Sequence, residues 1–99
     1  FIRFNLRTKE SVELPKPGHG ATGFGGYLNY VGKGRIHYQG GQGTSYREIF
    51  YIEKNKWVRV ENGIASCFSA SIYDPTEDSV HVHGGYIRSW NTYHSVFKM

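Results

Sequence analysis

Arg35-Ile36-His37-Tyr38-Gln39-Gly40-Gly41 and Ser79-Val80-His81-Val82-His83-Gly84-Gly85 are two versions of one pattern, a short apolar strand closed by a Gly-Gly doublet. They lie 44 residues apart. A pattern returning at such a period marks a repeat architecture, in which each unit needs its neighbours to bury its apolar face.

The match extends outward from both doublets. Residues 26–41 lie over 70–85 without a gap, so that Leu28 meets Ile72, Ile36 meets Val80 and Tyr38 meets Val82. Val31-Gly32-Lys33-Gly34 and Pro75-Thr76-Glu77-Asp78 fall between the paired strands, and both have turn composition. Beyond the doublets, residues 44–52 match 91–99 at an offset of 47, which makes the second connecting loop three residues longer. Length variation of this kind belongs in loops. Phe1-Ile2-Arg3-Phe4 carries the same strand a third time, and Ser11-Val12-Glu13-Leu14 corresponds to Trp57-Val58-Arg59-Val60. The unit is therefore four strands. Strands are expected near 1–5, 11–14, 24–30, 35–39, 47–53, 57–60, 68–73, 79–83 and 94–99. Lys16-Pro17-Gly18 and Asn62-Gly63 sit at the connections between units, where Pro and Gly fit.

Composition agrees with an all-β chain. There are 8 Tyr, 6 Phe, 2 Trp and 13 Gly among 99 residues. Aromatic and β-branched residues punctuated by Gly read as strands, and no ten-residue stretch shows helical apolar spacing. No run is long enough to cross a membrane as a helix. The net charge of +4 is spread along the chain and interleaved with acids. A nucleic-acid footprint would be a tighter basic stripe, so no nucleic-acid partner is expected. Cys67, the only cysteine, cannot form a disulfide within these residues and is expected to be a reduced, buried small hydrophobe.

With the doublets and their spacing in place, the chain resembles the Kelch repeat family. That family follows its Gly-Gly with a Tyr and a Trp six residues apart, as Tyr51 and Trp57 follow Gly40-Gly41 here. Gly84-Gly85 repeats the doublet, while Ser11 stands where the first partial copy would carry the Trp. The stretch 69–86 is similar to the Kelch repeats of the attractin and multiple-EGF-domain family, whose members are large cell-surface or secreted proteins. The resemblance implies a β-propeller fragment of about two blades of four antiparallel strands. Residues 1–15 would end one blade, 16–62 form a full blade, and 63–99 form most of a third. Both ends then fall inside a blade. The chain is expected to need further blades, either from the same chain or by self-association.

Candidate chemistry is sparse. Gly18-His19-Gly20-Ala21-Thr22-Gly23 spells a dinucleotide fingerprint, but Pro15 and Pro17 precede it and a strand follows, so it is read as a connection. His81 and His83 lie two apart on a strand and face one side, a spacing that suits a metal. A third ligand would have to come from elsewhere, with His37 in line with His81. No acid flanks them in sequence to orient the rings, and Gln39 replaces His83 in the other copy. No metal, cofactor or small-molecule substrate is expected, and no nucleophile–base pair argues for an enzyme.

A protein partner is the expected ligand. The loops between second and third strands, 41–45 and 86–92, share one rim with the connections 16–23 and 61–66. Tyr86, Arg88 and Trp90 fall within five residues there, and such residues dominate interface hot spots. Tyr46 and Arg47 are the matching candidates beside the first loop. Gly40, Gly41, Gly84, Gly85, Tyr51 and Trp57 are expected to serve the repeat itself, with Trp57 packing between blades. The opposite rim collects Lys33, Lys54, Lys56, Asp74, Glu77 and Asp78 and reads as solvated charge. The expected function is protein binding by an extracellular or cell-surface multidomain protein. The alternatives are a cytoplasmic Kelch adaptor for ubiquitination and a propeller copper oxidase, which would need a Tyr–Cys pair and His ligands.

Overall fold

Short runs rich in Tyr, Phe, Ile and Val, broken by Gly and Asp turns, fold as a series of antiparallel ribbons. The computed structural model describes residues 1–17, 25–40, 46–60, 63, 67–87 and 89–99. Strands β1 (Ile2–Phe4) and β2 (Ser11–Glu13) form sheet 1. Sheet 2 follows in chain order with β3 (Tyr27–Tyr30), β4 (Arg35–Gln39), β5 (Arg47–Tyr51) and β6 (Lys56–Arg59). Sheet 3 contains β7 (Ala70–Asp74), β8 (Ser79–Ile87) and β9 (Ser89–Lys98). Among the described residues there is no helix.

The strand registers repeat. Ile36 stands opposite Phe50, and Val80 stands opposite Phe97. Glu48 pairs with Arg59 as Ile2 pairs with Glu13. Two details differ from the sequence alignment. Leu28 lies opposite Tyr38, but it is Ser71 that lies opposite Val82. The first hairpin turn of sheet 3 is thus one residue longer, and Leu28 corresponds to Ser71 rather than Ile72. The shorter turn of sheet 2 reverses the chain through a left-handed run at Gly32, Lys33 and Gly34, with φ of 71, 53 and 69°. The second difference is the 86–92 loop. β8 runs on to Ile87 and β9 begins at Ser89, so Tyr86 and Trp90 are strand residues facing each other across a hairpin.

A β-bulge at His83/Gly85 makes that extension possible. Gly84 and Gly85 take φ of 71 and 103°, values that side chains rarely adopt. Gly40 is buried at the end of β4, and Gly41 lies outside the described residues.

Cross-strand neighbours share a face, so the registers sort the side chains. Tyr27, His37, Gln39, Arg47 and Ile49 lie on one face of sheet 2. Ile36, Tyr38, Phe50 and Trp57 lie on the other. The first face packs on sheet 3, where Tyr27 and Val31 join Val80, Val82, Tyr73 and Phe97 in one apolar cluster. The second face packs on sheet 1. Phe1 meets Phe50 and Trp57 edge-on at 5.1 and 5.2 Å, and Trp57 Nε1 donates to the Pro15 carbonyl at 2.8 Å. Sheet 2 is the middle layer, covered on both sides.

Two ties join sheets 2 and 3 outside the apolar cluster. Arg35 Nη2 pairs with Asp78 Oδ1 at 3.0 Å, and Tyr73 donates its hydroxyl to the same oxygen at 2.6 Å. Asp78 is therefore a joint between turns rather than part of a solvated charged rim. Its carboxyl is held below the usual range, first by the Tyr73 hydroxyl and then by Arg35. At the other end, the Phe68 N–H donates to the Gly25 carbonyl at 2.9 Å. A side chain at Gly25 would sit 2.9 Å from both Cys67 Cβ and the Phe68 nitrogen, so the chains approach closely only because this residue is Gly.

Candidate functional site

The far end of the β8–β9 hairpin gathers exposed aromatic surface. Tyr86 and Trp90 face each other across the ladder, with rings edge-to-face at 5.5 Å. Phe68 lies 6.3 Å from Trp90 on its other side. Trp90 is 70% exposed and Phe68 56%, so the patch combines two large open rings with one half-buried Tyr. Cys67 supports it from below: it bridges Tyr86 by two backbone hydrogen bonds, N–H to carbonyl in each direction, at 3.2 and 2.8 Å. Its thiol is free and buried, with Sγ 3.7 Å from the Tyr86 carbonyl oxygen.

Of the residues singled out in the sequence, Tyr86 and Trp90 come together here. Arg88 lies outside the described residues, as do the 18–23 glycine motif and the 41–45 loop. Tyr46 is half-buried, with the Arg59 guanidinium 4.0 Å above its ring. Tyr51 is half-buried too, and Lys54 Nζ lies 5.8 Å over its ring. Arg47 departs from the expected rim position. It is 4% exposed, donates from Nε to His37 Nε2 at 2.9 Å, and stacks 4.0 Å over the Phe97 ring. It alternates onto the inner face of β5, so it serves the seam between sheets 2 and 3. His37 is fully buried beside it. Burial first, and the Arg47 charge second, lower its imidazole pKa to about 4. His37 is thus a neutral acceptor. Phe68 was not singled out in the sequence, because nothing in its spacing marks it. Its φ of 58°, unusual for a bulky residue, turns the ring toward Trp90 at the entry to β7.

The histidines of sheet 3 form a separate group. His81 and His83 alternate with buried Val82 on β8, and His83 lies directly opposite His94 on β9. His81 Nδ1 is 3.0 Å from His94 Nε2. His37 is not their neighbour in function, since it is bonded to Arg47 in the other seam. The neighbour is His94, which the repeat does not mark as a ligand because the 47-residue offset matches it to Arg47 rather than to a His. Asp74, Glu77 and His81 also converge, their ligand atoms all within 4.8 Å of one another.

No protein-family model, curated protein or solved structure matches this chain.

Proposed function

We propose that this chain is a run of stacked sheets from a Kelch-type β-propeller, working as a protein-binding module of an extracellular or cell-surface parent. The observation that carries the reading is the exposed aromatic end of the β8–β9 hairpin, where Phe68, Tyr86 and Trp90 cluster. Tyr86 and Trp90 are large rings with polar tips held by a strand ladder, and such rings lose little entropy when a partner covers them. The repeated register and the layering of sheet 1 on sheet 2 on sheet 3 support a repeat array. The likeness of residues 69–86 to attractin-type repeats supports the cell-surface assignment. The function needs no cofactor and no catalysis.

The test is photo-crosslinking from position 90 in the full chain, with position 76 in the opposite turn as control. A partner captured from 90 and not from 76, with at least tenfold weaker binding in Trp90→Ala and Arg88→Ala, is the expected result. Equal capture from both positions, or unchanged binding in both variants, overturns the reading.

A further inference from the structure

We propose that His81, His83 and His94 form a binding site for a late first-row divalent metal ion of the zinc class, on the outer face of sheet 3. The proposal is independent of the aromatic patch. Its basis is the strand geometry. Residues i and i+2 of a strand present side chains on one face, and the residue opposite on the antiparallel neighbour joins them. His81, His83 and the facing His94 occupy those three places. Three imidazoles with an open fourth position are a known zinc donor set, and imidazole nitrogen suits zinc, copper and nickel alike.

The distances fit a shared ion. His81 Nδ1 and His94 Nε2 are in hydrogen-bond contact at 3.0 Å, and a small opening of the pair, to the roughly 3.3 Å between two nitrogens on one tetrahedral ion, would let a metal replace the shared proton. Ring centres of two imidazoles bound to one tetrahedral ion at ~2 Å stand roughly 5 Å apart. The His81 and His94 rings are 5.2 Å apart. His83 lies 6.3 Å from His94, and both are exposed, so a rotamer adjustment closes the third bond without disturbing the core.

The surroundings supply what a histidine ligand requires behind it. The Nε2 edge of His81 faces the Ser79 hydroxyl at 3.4 Å, away from His94. Ser79 is the cross-strand neighbour of Asp74, and Asp74 and Glu77 gather around that same ring. A carboxylate behind a ligating imidazole fixes its tautomer and raises its basicity. The sequence shows no such acid beside His81 or His83. The β7–β8 turn brings both carboxylates within 4.8 Å of a His81 ring nitrogen.

The corresponding places in sheet 2 sharpen the point. There the trio is His37, Gln39 and Arg47, and the cation bonded to the imidazole is a guanidinium. In sheet 3 the arginine position is His94. A metal ion would then supply the positive charge that Arg47 supplies next door.

The test is zinc titration of the untagged, chelator-stripped full chain by calorimetry, with cobalt absorption as a second readout. One equivalent of zinc and tetrahedral cobalt bands are expected. His83→Ala and His94→Ala, both at exposed positions, should each weaken zinc at least 100-fold while keeping the thermal midpoint. Asp74→Asn should weaken it about 10-fold at unchanged stoichiometry. The proposal is overturned if the wild-type chain takes up no stoichiometric zinc, or if both histidine variants bind it as tightly as wild type.

Discussion

The same face exists twice in this molecule, once covered and once open. In sheet 2 it carries His37, Gln39, Arg47 and Ile49 and is sealed against sheet 3, with Ile49 5% exposed and His37 fully buried. In sheet 3 the corresponding residues are His81, His83, His94 and Val96, and Val96 is 45% exposed. Strand order, register and side-chain direction agree between the two. The repeat therefore dictates where side chains point, while the neighbour decides whether they form a core. The polar residues have diverged accordingly. The covered face uses one charged group, tightly bonded and stacked, whereas the open face carries three imidazoles.

The largest expected difference comes from truncating the apolar residue of each face. Ile49→Ala should lose about 3 kcal/mol, the usual cost of a core cavity. The matching Val96→Ala should change stability by no more than about 0.5 kcal/mol, as at other open sites. Chemical denaturation of both variants checks the contrast. Equal losses would mean that the outer face of sheet 3 is covered as well.

Acid should act on the covered face through His37. Its pKa is about 4 in the fold and returns to about 6.5 on unfolding, so between those values the unfolded chain binds the extra proton. The stabilisation is complete above about pH 6.5 and is lost as pH falls toward 4, a loss of roughly 3 kcal/mol. Tyr27, Arg47 and Phe97 surround the ring, and Arg47 opposes its protonation. Denaturation midpoints at pH 7 and pH 4.5 measure the slope, and His37→Gln, which keeps an acceptor for Arg47, should flatten it.

The smallest effect is expected at the hairpin end. Trp90→Ala should change the unfolding free energy, read by chemical denaturation, by no more than about 0.5 kcal/mol, because the ring is 70% exposed. A larger loss would make Trp90 a packing residue of sheet 3 rather than a surface for a partner.

Much of this arrangement is legible in the chain itself. The Gly-Gly doublets and the offsets of 44 and 47 lead to three antiparallel sheets with repeating register, because alternation and turn residues act locally. The gapless overlay of the first strands misses by one residue, since Gly-Lys-Gly and Pro-Thr-Glu-Asp turns look equally good in sequence while only the former uses three consecutive left-handed residues. The hairpin extension past Gly84-Gly85 is missed for a similar reason. A doublet read as a strand end is here a bulge, and pairing resumes beyond it. Arg47 is misread as a rim residue because charge suggests exposure, and only the facing Phe97 and His37 reveal that it is buried. The His81–His94 contact depends on a pairing 13 residues apart, which no local pattern contains.

The ties at Arg35–Asp78 and at Gly25–Phe68 have a mechanical consequence. Two attachment points fix the angle between sheets 2 and 3, where one would leave a hinge. The points differ in kind: one is an ion pair with Asp78 40% exposed, the other a backbone hydrogen bond. Salt weakens the first and spares the second. High ionic strength would soften the joint at the turn end, leaving the buried apolar cluster and the Gly25 latch to hold the two sheets together.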